Sequence, residues 1–335
     1  MGLLACMPLF ACASQGTPSS ADLDAAWDYS VEHNGYSLMV IQDGRVRMER
    51  YAQGDGPGTR HKIYSGTKGL WCVAAVAAQA DGLLDLDEPA ARTITEWRGV
   101  TGRDRITIRE LLNFTAGLDP GFHLHSDEVP DRDRYAVALP EVAPPGGSFI
   151  YGPGQIQVFC EILRRKLARY GGGESPWHYL QRRVLDPIGI GDVPHKVDAV
   201  GIPLCAAGVQ MTSREWGRFG RFLLSGGSGV LPPGELSNCL RGSARNPAFG
   251  MGFWLNREAP EASAVNVEDN LEPQWWREEW SDPCICQEAP RDLFVSLGSE
   301  GQRLYVIPSL DMVVVRLSGD SHFSDEEFLR LLLGR

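Results

Sequence analysis

The stretch YSGTKGLWCVAAVAA, residues 64–78, combines a hydroxyl, an amine and a strongly apolar run. Ser65 and Lys68 are three residues apart, so a helix that begins here places their side chains on the same face. Burial in an apolar helix removes the lysine from water, and desolvation lowers the pKa of an amine. A neutral amine beside a serine can activate its hydroxyl as a nucleophile. The alternative is a Ser65 that only caps the helix and a Lys68 that is solvated.

Composition and charge bound the class of protein. The chain has 335 residues, with 32 Lys or Arg against 43 Asp or Glu, and a formal net charge of -11. This acidity argues against nucleic acid as a partner, because phosphate binding needs a basic surface. The length predicts one large domain or two closely packed lobes. The longest apolar run, residues 70–78, is shorter than the ~20 residues that a membrane span needs, and predicts a buried helix.

Residues 1–20 resemble an export leader and linker, because an apolar segment is followed by small polar residues. Cys6 and Cys12 each end a sequence that resembles the cleavage box of a bacterial lipoprotein, so either is a candidate for a lipid anchor. No Lys or Arg precedes the apolar run, which departs from the usual pattern. We expect an exported protein, periplasmic or membrane-anchored, with a cytoplasmic location as the alternative.

The remaining cysteines do not form a metal-binding pattern. Cys72 and Cys160 lie in apolar helical patterns and are interpreted as small core residues. Cys284 and Cys286 lack the C-x-x-C spacing of zinc sites, and the chain has no H-x-x-x-H pair. We therefore predict no metal site. The chemistry expected of Ser65 and Lys68 also requires no organic cofactor. In an exported protein a disulfide that involves Cys284 or Cys286 is plausible. The sequence leaves open the pairing of Cys205, Cys239, Cys284 and Cys286.

Strand patterns occur at both ends of the chain. Residues 37–41 and 46–51 flank an Asp-Gly turn, which predicts a β-hairpin. Residues 302–307 and 312–317 predict two further strands, and residues 325–333 predict a closing helix. Because helical patterns occupy the middle, the sequence predicts an α+β fold: one antiparallel sheet built from N- and C-terminal segments, flanked by helices, with an inserted and mostly helical lobe.

We assign residues 21–335 to a single catalytic domain. Residues 21–60 and 200–335 are expected to form the sheet lobe, and residues 61–199 the helical lobe. The predicted helices include 106–112, with a Thr-x-x-Glu capping box, and also 22–32, 155–170 and 175–184. Two stretches are interpreted as surface insertions: residues 121–142 and the acidic, tryptophan-containing residues 258–292.

The order of motifs is similar to that of the serine β-lactamase and penicillin-binding-protein superfamily. Within it, the chain resembles the class C-like branch that includes esterases and 6-aminohexanoate-dimer hydrolases. The S-x-x-K element is one of the catalytic motifs of these enzymes. The motifs, spread over nearly the whole chain, lie at residues 64–68, 80–89, 106–118, 145–151 and 206–212, with a last one at 296–302.

The resemblance implies a role for several residues. Ser65 corresponds to the nucleophile that becomes acylated, and Lys68 to the base that takes its proton. Tyr151 corresponds to the tyrosine of a Y-x-N motif and is expected to relay a proton to the leaving group. The backbone N–H groups of Ser65 and Ser299 are expected to form the oxyanion hole. Gly298 is expected to let the backbone approach the substrate closely.

Two positions depart from the family pattern. Pro153 stands where the family has the asparagine of Y-x-N, so no side-chain amide can bind a substrate there. Ser296 stands at the start of the third motif, where β-lactamases and D,D-peptidases have a cation that helps to hold a substrate carboxylate. We predict Ser296 and Gly298 as substrate-binding positions. The missing asparagine and the missing cation both weaken the case for β-lactams or peptidoglycan stems as substrates.

These observations predict a serine hydrolase that forms a covalent acyl-enzyme on carboxylic esters or small amides. One alternative is a penicillin-binding D,D-peptidase or a β-lactamase. The other is a non-catalytic envelope scaffold or sensor that keeps the fold without turnover. The expected partner is a small-molecule ester or amide. The sequence does not indicate the oligomeric state.

Overall fold

The computed structural model describes residues 17–170, 172–257, 276–277, 284–319 and 322–335. The candidate anchors Cys6 and Cys12 lie outside the described residues, so the leader stays a prediction. Most of the segment 258–292, including Trp275 and Trp280, also lies outside them. No helix in the described part of the chain has the length and apolar character to cross a membrane.

The described helices lie mainly in the middle of the chain, and most of the strands lie near its two ends. The helices are α1 (Ser20–Glu32), α2 (Thr67–Ala80), α3 (Ile108–Leu112), α4 (Arg132–Val137), α5 (Pro153–Tyr170), α6 (Pro176–Leu180), α7 (Ser213–Leu224) and α8 (Asp325–Leu333). The strands are β1 (Gly35–Gln42), β2 (Arg45–Tyr51), β3 (His61–Lys62), β4 (Phe149–Ile150), β5 (Gln210–Met211), β6 (Trp254–Leu255), β7 (Trp276–Arg277), β8 (Phe294–Gly298), β9 (Gln302–Ile307) and β10 (Met312–Ser318).

A six-stranded antiparallel sheet, in the order β2-β1-β10-β9-β8-β6, forms the centre of the fold. The N-terminal hairpin therefore pairs with the last strand of the chain, as the sequence predicts. The short strands β3 and β5 pair separately, and so do β4 and β7. The predicted α+β class, with strands from both ends of the chain in one sheet, is confirmed.

Helices cover both faces of the sheet, which explains why all seven residues of β10 are buried. Helix α7 packs on one face so closely that a Cβ on Gly220 would lie 2.4 Å from the side chain of Val313. Helices α1 and α8 cover the other face. There Arg303 and Asp325 form an ion pair of 2.7 Å with side chains 0% and 1% exposed, and the Tyr305 hydroxyl donates to the same carboxylate.

The helical part surrounds α2. Every residue of α2 from position 67 to 78 is buried, which confirms the predicted buried helix. The predicted capping box at α3 is confirmed, because Thr107 and Glu110 bond reciprocally. The predicted helix over 175–184 is interrupted: α6 ends at Leu180 and continues as a single π-helical turn.

One expectation about this region is wrong. Residues 121–142 are not only a surface insertion, because Arg132 of α4 is fully buried and its Nε donates to the carbonyl of Leu124 at 2.9 Å. Cys160 is buried in the core, as expected, but it also forms a disulfide with Cys205, 45 residues along the chain, which the sequence did not indicate. The partner of the Cys160 thiol is distant in sequence, which local patterns do not reveal.

The C-terminal cysteines also differ from expectation. Cys284 and Cys286 are buried free thiols, and so are Cys72 and Cys239. The disulfide considered for the 284/286 pair is therefore not formed. Burial raises the pKa of all four thiols, which keeps them protonated at neutral pH.

Candidate active site

Ser65 lies in a tight connection between a short strand and a buried helix. Strand β3 ends at Lys62, a 3-10 turn covers Tyr64–Gly66, and α2 begins at Thr67. Tyr64 has a φ of 43°, the left-handed region that non-glycine residues rarely adopt. Such strain is kept only where the surrounding structure imposes it, and it occurs often at functional sites. The turn leaves Ser65 half-buried and open to a reactant.

Lys68 lies one turn along and points back to the serine. Its Nζ is 2.8 Å from Ser65 Oγ and 3.1 Å from the carbonyl oxygen of Ala206. The side chain is only 2% exposed, and burial lowers its pKa from 10.5 to about 7. The expectation of a desolvated amine is confirmed, and the solvated alternative is wrong. A helix-capping role for Ser65 is also wrong, because the residue preceding α2 is Gly66.

A neutral Lys68 has hydrogen-bonding capacity that fits both of its neighbours. Its N–H donates to the Ala206 carbonyl, which leaves the nitrogen lone pair free to accept the hydroxyl proton of Ser65. A protonated Lys68 can only donate, and it then stabilises an oxyanion at Ser65. The pair can therefore exchange one proton without moving either side chain.

The segment that carries Ala206 is fixed to the two central helices. Cys205 is joined to α5 by its disulfide, and its backbone N–H donates to Gln157 Oε1 at 3.2 Å. The backbone N–H of Val209 donates to Thr67 Oγ1, also at 3.2 Å. The sequence singled out residues 206–212 as a motif but assigned no function to it. In the structure this motif supplies the second hydrogen-bond partner of Lys68.

The ring of Tyr151 packs beside the same amine. Lys68 Nζ lies 4.8 Å from the ring centroid, and the tyrosine is 5% exposed. Aromatic neighbours surround it, among them Phe114 at 5.1 Å and Trp254 at 5.9 Å between ring centroids. Pro153, which replaces the family asparagine, is the first residue of α5, a position that favours proline. The structure thus brings the ring of Tyr151 to Lys68, whose amine also contacts Ser65.

The third motif lies on the β8–β9 hairpin, against the turn that carries Ser65. A Cβ on Gly298 would lie 2.1 Å from the backbone oxygen of Ile63, so only glycine fits there. This close approach is to the protein's own chain, and the expected approach of Gly298 to a substrate stays a prediction. Ser299 follows at the exposed tip of the hairpin, with Glu300 in the left-handed region at φ 61°.

Ser296 requires a correction. Its side chain is 1% exposed, and its hydroxyl donates to the carbonyl of Gly66 at 3.0 Å. The predicted substrate contact is wrong because this hydroxyl faces the start of α2. Ser296 instead fastens β8 to the turn that holds Ser65.

A cavity that the sequence did not indicate lies next to this site. It has a volume of about 430 Å³ and extends from Tyr64 and Ala207 to the segment 194–196. His125 lines it, and although its ring is exposed, loss of hydration lowers its pKa to about 4, helped by the positive charge of Lys68 and other cations. His125 is therefore neutral at pH 7. Among the described residues, no group of three or more His, Cys, Asp or Glu could hold a metal ion.

Two comparisons of sequence found related proteins. The Beta-lactamase family model matches residues 23–333. The 6-aminohexanoate-dimer hydrolase of Paenarthrobacter ureafaciens is 26% identical over an alignment of 306 residues, and the alignment covers 84% of this chain and 72% of that protein.

Solved structures share the fold. EstCE1, described as a hydrolase with promiscuous acyltransferase activity, has a TM-score of 0.69 at 16% identity and covers 94% of this chain and 98% of its own. A class C β-lactamase from Rhodobacter sphaeroides has a TM-score of 0.64 at 18% identity, with 94% and 97% covered. At these identities the likeness concerns the fold, and it confirms the predicted β-lactamase-like architecture.

Proposed function

This chain belongs to the β-lactamase family, and we propose that it is a serine hydrolase that cleaves carboxylic esters or small amides through a covalent acyl-enzyme. The observation that carries the proposal is the contact of Lys68 with Ser65. A lysine buried to 2% exposure, with a pKa of about 7, is 2.8 Å from the hydroxyl that it would deprotonate. A general base works best when its pKa lies near the working pH.

The proposed reaction has two halves. Lys68 takes the hydroxyl proton while Ser65 Oγ attacks the carbonyl carbon, and the tetrahedral intermediate then expels the alcohol or amine. The leaving group receives a proton that Tyr151 relays from Lys68. Water, deprotonated through the same two groups, then attacks the acyl-serine ester and releases the acid. No step in this sequence needs a metal or an organic cofactor.

The oxyanion would be bound by the backbone N–H groups of Ser65 and Ser299. The support is indirect: Gly298 lies against Ile63, and Ser296 is bonded to Gly66, so the hairpin and the Ser65 turn are held together. Two fixed donors directed at a developing oxyanion typically contribute more than any other single catalytic interaction.

Esters and small amides are favoured over β-lactams as substrates. The third-motif position has no cation, since Ser296 is neutral and buried, and Pro153 offers no side-chain amide. The relative named as a 6-aminohexanoate-dimer hydrolase supports an amide or a related ester as the substrate class. A fluorescent penicillin separates the alternatives: stable labelling of Ser65 favours a penicillin-binding enzyme, and the absence of labelling favours the esterase.

Mass spectrometry of the intact protein with 4-nitrophenyl butyrate tests the proposal. We expect an added mass of one butyryl group on the wild-type chain during turnover, and no adduct and no hydrolysis in Ser65→Ala. Ser237→Ala, at an exposed serine elsewhere in the chain, is the matched control and should keep full activity. Hydrolysis by Ser65→Ala at the wild-type rate would remove the proposal. Labelling of Ser65 by a fluorophosphonate, without turnover on a broad ester panel, would favour the scaffold or sensor.

A further inference from the structure

The 430 Å³ cavity beside Ser65 offers room for a part of the substrate remote from the scissile bond. Lys62 and Tyr64, which nearly adjoin Ser65 in the chain, form one wall, and Gln210 lies beside them. The position of Lys62 is fixed relative to the site, because it pairs with Gln210 between β3 and β5. The next residue, Ile63, donates its N–H to the carbonyl of Val209 at 3.0 Å.

The charges around this cavity do not cancel. Its described titratable lining residues are Lys62, Tyr64, His125, Asp127, His195 and Lys196. Lys196 is neutralised by Asp127, with an Nζ–Oδ1 distance of 2.7 Å. Loss of hydration lowers the pKa of both histidines, so they are neutral at pH 7, and burial raises the pKa of Tyr64 to about 12, with a further contribution from the Glu300 carboxylate. Among the residues that line this cavity, one positive charge remains, on Lys62. Glu300 does not line it, but it accepts a hydrogen bond from Tyr64 and lies with Lys62 along a neighbouring cavity.

The side chain of Lys62 has no hydrogen-bond or ion-pair partner among the residues that the structure describes. Its neighbours in sequence differ in this respect: Arg60 is paired with Glu215 at 2.6 Å, and His61 contacts Asp55 at 2.5 Å. An exposed lysine without a partner is common on protein surfaces. Here it lines a cavity three residues before the proposed nucleophile, where a charge can act on a bound substrate.

We propose that Lys62 binds a carboxylate of the substrate, so that the enzyme prefers esters or amides that carry a negative charge on the acyl or the leaving group. This proposal rests on the proposed serine hydrolase function. Three residues of chain span at most ~10 Å between Cα atoms, so Lys62 stays near Ser65 in the fold. Because Ser296 is neutral, a cation that binds the carboxylate must come from another element, and Lys62 on β3 is such a cation.

Two matched substrate pairs test the preference. The acyl pair is mono(4-nitrophenyl) adipate and 4-nitrophenyl hexanoate, and the leaving-group pair is the butyryl ester of 3-(4-hydroxyphenyl)propanoate and of its N-methylamide. We expect Lys62→Met to lower the anionic-to-neutral ratio of kcat/KM about tenfold in one of the pairs, since hydrogen bonds to charged groups are worth more than neutral ones but solvent weakens them at exposed sites. Lys62→Arg should keep most of the ratio.

The control removes an equal charge elsewhere. Arg45→Gln, at the exposed β1–β2 turn, should leave both ratios unchanged. Raising the sodium chloride concentration from 50 to 500 mM should lower the wild-type preference, because salt screens an exposed charge, and should change Lys62→Met much less. If Lys62→Met keeps the wild-type ratio in both pairs, Lys62 does not bind the substrate.

A binding measurement separates this proposal from the hydrolase itself. Calorimetric titration of adipate into Ser65→Ala protein needs no turnover, and we expect about tenfold weaker binding when Lys62→Met is added. If adipate binding depends on Lys62 but no ester is hydrolysed, the anion-site proposal is supported and the hydrolase proposal is rejected. Hydrolysis of the neutral esters, with neither a charge preference nor Lys62-dependent binding of adipate, would keep the hydrolase and reject the anion site.

Discussion

The pH dependence of ester hydrolysis is the sharpest test of Lys68 as the base. Burial lowers its pKa to about 7, and only the neutral amine can accept the proton of Ser65. At pH 8 a lysine with this pKa is about nine-tenths neutral, whereas one with the ordinary value of 10.5 is only about 0.3% neutral. Burial thus increases the active fraction by roughly 300-fold at pH 8.

The direction of the pH dependence follows from the protonation state of Lys68. We expect kcat/KM for 4-nitrophenyl butyrate to be low at pH 5, to rise about tenfold per pH unit, and to level off above an inflection near pH 7. Release of 4-nitrophenol is followed at its isosbestic wavelength, because the product titrates in the same range. His125, with a pKa of about 4, does not account for an inflection near 7.

Two variants make the assignment specific. Lys68→Arg keeps a positive charge that does not dissociate at accessible pH, so we expect a loss of roughly 10²–10⁴ in kcat at every pH. Lys166→Arg is the control, because this lysine forms a 2.6 Å ion pair with Glu88 and should keep the wild-type profile. A wild-type profile that is flat from pH 5.5 to 9, or that inflects only above pH 9, would refute the reasoning.

Two further substitutions test how the site and the sheet are held. Gly298→Ala places a Cβ 2.1 Å from a backbone oxygen, so we expect stability to fall by about 1–3 kcal/mol and kcat to fall at least tenfold. Gly56→Ala is the control, because its added Cβ meets nothing within 4 Å, and it should change neither quantity. Equal effects of the two substitutions would contradict the close approach. Arg303→Met leaves the buried carboxylate of Asp325 without its ion-pair partner, so we expect the free energy of unfolding, measured by urea denaturation, to fall by about 3–5 kcal/mol. Arg330→Met removes an exposed ion pair and should lower it by less than about 1 kcal/mol. Similar losses would show that the buried pair is not structurally important.

The sequence predicted well those features that depend on neighbouring residues. The distance from Ser65 to Lys68 follows from helical spacing, and the burial of Lys68 follows from the apolar run after it. The strands at the two ends of the chain alternate or are continuously apolar, and the sheet buries them accordingly. The pairing of strands from the two ends was predicted, but individual side-chain and carbonyl contacts between distant segments were not. The carbonyl of Ala206 and the Cys160–Cys205 disulfide join segments 45 or more residues apart.

The error at Ser296 has a physical reason. A strand residue points to one of two faces, and sequence alone does not say whether that face meets a substrate or the protein. Here the turn before α2 lies so close to β8 that the Ser296 hydroxyl bonds to the Gly66 carbonyl. The sequence analysis also missed Lys62. In the sequence Lys62 is an ordinary polar residue before a motif, and its place in a cavity beside Ser65 becomes visible only in the fold.

The burial that makes Lys68 a base also lowers the stability of the folded protein, and this effect depends on pH. Its folded pKa lies below its unfolded value, so the unfolded state binds more protons between about pH 7 and pH 10.5 and stability rises with pH across that window. Below pH 7 the full difference applies, roughly 5 kcal/mol for a shift of this size. The elements around Lys68 offset this cost. The disulfide holds the segment of Ala206, and the hydrogen bond from Ser296 holds the turn of Ser65, so the amine stays dry and cannot relax toward solvent. A site that needs an unprotonated lysine therefore needs a rigid fold around it, which explains why its supporting contacts come from segments so far apart in the chain.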